Sequence, residues 1–215
     1  MTMAILSIVT TMIIGVFFAL QSSYAQSVSA NDARSSARDA LNRMSIQIRT
    51  AQPLVVASAG QAVFTSAGPW EVQFYSSFNV LGQGSDYTGT AAAGAGTAAL
   101  QLTRIYLSGP MPYQTLYLQR DTDGTPGFGL GDQQIVLATN VVNRSIPTTS
   151  GTPVFTYDYR NSGGDLMPPS ETISEADLAT IIAVNIRVIV DANLNHSPAP
   201  ADLHMIVHPP NAPHS

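Results

Sequence analysis

The 215-residue sequence contains no cysteine. Disulfide frameworks, thiolate zinc sites and cysteine nucleophiles are therefore excluded. It also contains no lysine: all nine basic residues are arginine, against fourteen acids, for a formal net charge of −5. Charged residues make up only 11% of the chain, well below the roughly 25% of an average globular domain. A groove that neutralises phosphates needs clustered positive charge. Here Arg34, Arg38, Arg43 and Arg49 lie in one segment and the other five are scattered, so nucleic acid is not an expected partner. Catalytic signatures are missing too. No G-x-S-x-G, H-E-x-x-H, phosphate-binding loop or dinucleotide-binding glycine pattern occurs, which leaves no paired acid and base and no activated nucleophile to nominate. The chain is read as a non-enzyme without a cofactor, and a secreted hydrolase is the least supported alternative.

What the chain does have is a long apolar opening. Met3 to Leu20 reads MAILSIVTTMIIGVFFAL, and no ionisable side chain except Tyr24 precedes Asp32. Eighteen such residues rise about 27 Å as a helix, close to the roughly 30 Å hydrocarbon core of a bilayer. Ser23-Tyr24-Ala25 before Gln26 offers small residues where a signal peptidase cuts, but no positive charge precedes the run. From Val28 to Ala51 small or apolar residues recur every three or four positions, at Ala33, Ala37, Ala40, Leu41, Met44 and Ile48 among others, and no Gly or Pro interrupts between Phe17 and Pro53. That spacing predicts one continuous helix, apolar all round in residues 1–26 and amphipathic in 27–52, whose stripe packs on the chain's own sheet.

Beyond Pro53 the pattern changes to short alternating runs. Strands are expected at Leu54–Ala57, Trp70–Tyr75, Leu100–Leu107, Thr115–Arg120, Gln134–Ala138, Val154–Tyr159, Ala183–Val190 and Leu203–Val207. The fold class is α+β: a long N-terminal helix on an antiparallel β domain spanning 53–208, with a fraying tail at 209–215. Ser174-Glu-Ala-Asp177 reads as a capping box opening a short helix. Thr88 to Ala99 reads as a mobile, low-complexity loop. Three weak site signals remain. Asp121, Asp123 and Asp132 echo the span of a calcium loop but lack its turn glycine, and Asp191, Asn193, Asn195 and Asp202 repeat that spacing more poorly still. His204 and His208 are spaced to share a strand face, without a third zinc ligand nearby. Asn143-Arg-Ser145 is formally a glycosylation sequon.

Arg34-Ser-Ser-Ala-Arg-Asp-Ala-Leu-Asn-Arg-Met-Ser-Ile-Gln-Ile-Arg49 resembles the region after the membrane segment in W-type minor pilins and J-type pseudopilins. Leu137 to Asn143, Pro153 to Tyr159 and Ile181 to Asp191 look like three further stretches of that group. The resemblance implies a pilin-like fold and a structural minor subunit of a type IV pilus or a type II secretion pseudopilus. Such a subunit is held in the inner membrane and then assembled into an extracellular or periplasmic filament with other pilin subunits. Ala4, Ser7, Thr10, Thr11, Gly15 and Ala19 are the small positions available for close helix packing there. The family's basic leader, cleavage-site Phe and following Glu have no counterpart in these residues, and the expectation is an amino-terminal truncation or a misplaced start codon. The alternative reading is a secreted or singly anchored ligand-binding module, cleaved after Ala25 and using the loop Gly82 to Ala99.

Overall fold

The computed structural model describes residues 2–52, 62–76, 101–122, 127–129, 131–144, 151–161, 163–192 and 199–210, without the side chains at 2–5, 7 and 8. The expected strand at Leu54–Ala57, the loop Thr88 to Ala99 and Asp123 lie outside these residues, as do Asn193, Asn195 and the last five positions of the chain.

Helix α1 runs unbroken from Thr2 to Arg49. At 1.5 Å per residue its 48 residues extend about 72 Å, more than twice the width of a small domain. Among the described residues its buried side chains all lie in the second half. Ala33, Ala37, Ala40, Leu41, Met44 and Ile48 are buried, whereas Leu6, Val9, Met12, Ile13, Ile14, Val16, Phe17, Phe18 and Leu20 are all exposed. The alanines matter because a methyl group lets the helix backbone approach the sheet closely, while Met44 and Ile48 fill the space near its end. Backbone amides of Thr50 and Ala51 close the last turn on Ile46, Gln47 and Ile48 carbonyls. The chain then hands over to the sheet, where Ala51 pairs with Ser76 and the Gln52 N–H donates to the Tyr75 carbonyl.

Eight strands follow: β1 Phe64–Ala67, β2 Glu71–Ser76, β3 Gln101–Ser108, β4 Gln114–Arg120, β5 Gln133–Val141, β6 Phe155–Tyr159, β7 Ile181–Val190 and β8 Ala201–Val207. All pair antiparallel in the order β1-β2-β3-β4-β5-β7-β6, with β8 on the other edge of β7. Alternation decides which side chains face α1. In β3, Thr103, Ile105 and Leu107 are buried while Arg104 and Tyr106 between them are half-buried on the opposite face. Phe64 and Phe74 meet edge-to-face, ring centroids 6.2 Å apart, under this layer.

The sheet is two pieces joined at a seam. β1 to β5 form a meander, β6, β7 and β8 a three-stranded unit, and the only register pair between the two is Val141 with Val190. Asn140, in the left-handed region at φ 56°, redirects the end of β5 toward that meeting point. The sheet also curls. The Pro69 carbonyl in the β1–β2 turn accepts N–H groups of Val154 and Phe155, and the Tyr157 hydroxyl donates to the Gly68 carbonyl at 3.0 Å. Helix α1 lies across β8, β5, β7 and β2, spanning the seam.

Two local expectations are corrected. Ser174 leads into a 3-10 helix, Glu175–Thr180, and makes no side-chain cap: its hydroxyl donates to the Asp177 carboxylate at 2.7 Å. β1, in turn, has no counterpart among the expected strands. Its residues Phe-Thr-Ser-Ala are mostly small and polar, and the strand is held by β2, whose Phe74, Gln73 and Val72 face Phe64, Ser66 and Ala67.

Candidate assembly surface on the first helix

An unbroken helix with a docked half and an undocked half concentrates the molecule's exposed apolar surface in one place. Leu6 is 65% exposed and Phe18 63%, on different sides of the axis. This exposure goes all round, unlike the single stripe of an ordinary surface helix. Three hydroxyls along it are satisfied within the helix. Thr10 Oγ1 donates to the Leu6 carbonyl at 2.9 Å, Ser22 to Ala19 at 2.9 Å and Ser27 to Ser23 at 3.0 Å. Hydroxyls bonded back to their own helix demand no water. The surface is thus chemically ready for an apolar surrounding, whether hydrocarbon or other helices.

Gly15 stands in the middle of this half. A Cβ built there meets nothing within 4 Å, and its φ is not positive. Neither backbone conformation nor crowding within the chain requires glycine, although glycine inside a helix costs about 1 kcal/mol relative to alanine. Of the other small positions, Thr11 and Ala19 are exposed, and the side chains of Ala4 and Ser7 lie outside the described residues. Among the described residues no helix is long and apolar enough to cross a membrane.

The docked half ends at a buried polar contact that sequence spacing left unmarked. Arg120 is 1% exposed beneath α1, and its Nη2 donates to Gln47 Oε1 at 2.9 Å. Burial lowers its pKa from the ordinary arginine value. Its signal was the alternation itself, since Arg120 continues the inward series Leu116, Leu118 of β4. A second missed group is Arg104 on the outer face. Its guanidinium lies over Tyr106 at 4.2 Å and Phe128 at 4.5 Å, with Tyr117 stacked on Tyr106 at 5.5 Å.

The weak site signals find structural roles. Asp132 closes the β4–β5 connection: Oδ1 accepts the Thr122 N–H at 3.0 Å and Oδ2 the Gly129 N–H at 2.6 Å. Among the described residues no three His, Asp or Glu side chains gather to hold a metal. Asp202 is taken by Arg187 in a two-pronged contact at 3.0 and 2.5 Å. That hydrogen bonding holds the Asp202 carboxyl below the usual carboxylate range and raises the Arg187 pKa. His208 Nδ1 sits 3.1 Å from the Ile182 carbonyl, and His204 lies across from Arg187 in the β7–β8 register. Asn143 is fully buried. Its Nδ2 donates to the Thr152 and Arg187 carbonyls and its Oδ1 accepts the Ile189 N–H, so in the folded chain the sequon is closed to glycosylation. Comparison with protein families, with curated proteins and with solved structures finds no match to this chain.

Proposed function

We propose that the chain is a structural minor subunit of a type IV pilus or type II secretion pseudopilus. The first half of α1 anchors it in the inner membrane and then packs among like helices in a filament. The observation that carries this reading is the division of one rigid helix into a half clamped on the sheet and a half exposed and apolar on every side. Eighteen residues from Met3 to Leu20 without an ionisable side chain match the hydrocarbon thickness, and Tyr24 follows where an interfacial aromatic belongs. Transfer from lipid to a helix bundle gains little hydrophobic energy, because lipid is as apolar as leucine. Close packing must then decide assembly, and that gives Gly15 a purpose its own chain does not supply.

Gly15→Leu separates these effects. Within the monomer the new side chain meets open space and helix propensity rises by about 1 kcal/mol. The expected outcome in the native cells is an unchanged fold and membrane fraction, with the variant absent from sheared filaments. Normal incorporation of Gly15→Leu would overturn the packing argument. Recovery of the native protein as a soluble form starting at Gln26 would overturn the reading as a whole and favour the secreted binding module.

A further inference from the structure

Among the described residues the sheet ends in three edge strands, β1, β6 and β8. The chain covers two of them itself. At β1 the Ala67 carbonyl accepts the Ile173 N–H, and the register with β2 shifts between Phe64 and Ser66. Along β6, Tyr157 and Ser170 exchange both backbone hydrogen bonds, the Met167 N–H donates to the Tyr159 carbonyl, and Arg160 bridges to Leu166. The outer edge of β8 has no such cover among the described residues. Its register with β7 runs unbroken from Val207 with Val184 to Ala201 with Val190. Bulges and lysines are usual guards of an open edge, and here there is no bulge in the register and no lysine in the sequence.

Hydrogen bonds made by β7 fix which groups of β8 are left over. The Arg187 N–H donates to the Val154 carbonyl, the Ile189 N–H donates to Asn143 Oδ1, and the Ile189 carbonyl accepts the Val142 N–H. The odd-numbered residues of β7 therefore direct their backbone groups toward β5 and β6, and the even-numbered ones bond β8. Opposite the odd-numbered residues stand Ile206, His204 and Asp202, so their N–H and C=O groups point away from the sheet. All three residues are exposed. Pro200 before them and Pro209-Pro210 after them carry no N–H and bound this row. On the other face of the strand Leu203 and Met205 pack toward the core but are only half-buried, although their partners Val188 and Ile186 on β7 are fully buried.

We propose that β8 is a site of strand addition: an extended segment of a different polypeptide, with apolar side chains at alternate positions, pairs antiparallel along Asp202 to Ile206. The outward N–H and C=O groups supply the ladder, and only the backbone of an extended chain matches their spacing. Apolar side chains of the segment lie beside Leu203 and Met205 and complete their burial. The charge on the opposite face is already balanced, Arg187 with Asp202, so backbone and apolar contacts select the segment. A second copy of this chain fits less well. Two β8 edges would pair antiparallel about a two-fold axis normal to the sheet. Because α1 lies on the sheet face, that operation turns the two exposed helix halves in opposite directions and keeps them out of one bilayer. The exclusion of a second copy rests on the membrane anchoring proposed above, whereas the ladder involves no part of that helix half.

The test uses the full-length chain in lipid nanodiscs and a synthetic peptide that alternates threonine and valine between terminal arginines. Amide hydrogen exchange is followed by mass spectrometry in fragments covering β8 and β1. The expected result is a saturable slowing of exchange in β8 and none in β1. In an antiparallel ladder with the valines on the α1 side, the threonine amides face β8. N-methylation of the threonine amides should therefore abolish the slowing, and N-methylation of the valine amides should not. His204→Pro removes an outward donor and leaves every bond to β7 in place. It should keep the Trp70 denaturation midpoint and weaken peptide binding at least about fivefold. No slowing at up to about 1 mM peptide, slowing that ignores methylation or is abolished by the valine set, or undiminished binding to His204→Pro would each overturn the proposal. Slowing without peptide that rises with the number of chains per nanodisc would assign the edge to a second copy and overturn it equally.

Discussion

Asn143 and Tyr157 are single side chains that hold turns to strands. Asn143 satisfies three backbone groups from a fully buried position, and one of them, the Ile189 N–H, belongs to β7. Asn143→Ala leaves these groups unpaired away from water and should lower unfolding free energy by about 3 kcal/mol. Chemical denaturation followed by the fluorescence of Trp70, the chain's single tryptophan, measures it. Nearby Gly151 is one glycine that geometry requires. It sits at φ +75°, and a Cβ there would come within 3.1 Å of Arg144 Cα and 3.2 Å of the Trp70 ring. Tyr157 donates to Gly68 from full burial, and burial pushes its phenol well above the ordinary value of 10.0. A raised folded pKa means that the stability it contributes is fully present below pH 10. Above that pH the unfolded chain ionises and the folded one does not, so stability is lost as pH rises. Tyr157→Phe should cost about 1 kcal/mol at neutral pH and flatten the alkaline fall in melting temperature, as thermal melts from pH 7 to 11 would show.

At the scale of elements the decisive feature is the alanine seam of α1. Ala37 and Ala40 have no exposed surface, so a larger side chain there has no room unless the helix lifts from the sheet. Ala40→Leu should destabilise the β domain by about 1–3 kcal/mol although leucine is a good helix former. A downward shift in the Trp70 denaturation midpoint is the readout, and an unchanged midpoint would contradict the packing described. The helix and seven of the eight strands were legible from periodicity, because a 3.6-residue stripe and a two-residue alternation each mark the face that must be buried. Trp70–Tyr75 is observed as Glu71–Ser76 and Gln134–Ala138 as Gln133–Val141. β1 escaped because Thr65 and Ser66 break the apolar signal and β2 supplies its register. Ser174 misled because a serine three residues before an acid also permits the side-chain pair it makes with Asp177. Of the candidate assembly surface, the apolar run and its small residues were readable in the sequence. The exposure on every side was not, since exposure is a property of where the sheet ends and not of the helix.

The molecule as a whole is a meander and a three-stranded unit that share a single register pair, Val141 with Val190. Local alternation cannot reveal such a seam, because the pairing of β5 with β7 brings together residues 49 positions apart. Helix α1 crosses it and touches strands on both sides, β2 and β5 on one and β7 and β8 on the other. This placement has a mechanical consequence. In the filament proposed above, load would pull each subunit by its first helix half and hold it by its globular part, so tension would enter the β domain through the docked stripe. Pulling along the axis shears the alanine stripe over both halves of the sheet at once, whereas pulling across it peels the helix off and leaves the two halves joined by the Val141–Val190 pair, the Asn143 side chain and the hydrogen bonds to the Ala67, Gly68 and Pro69 carbonyls. Tethered between residue 20 and the end of β8, the chain should resist force as one unit and then open at the seam at a lower force. Tethers fixed at β2 and β8, with the helix unloaded, should part the two halves at markedly lower force. Optical-tweezer traces from the two geometries would measure how far α1 serves as the splint of the β domain.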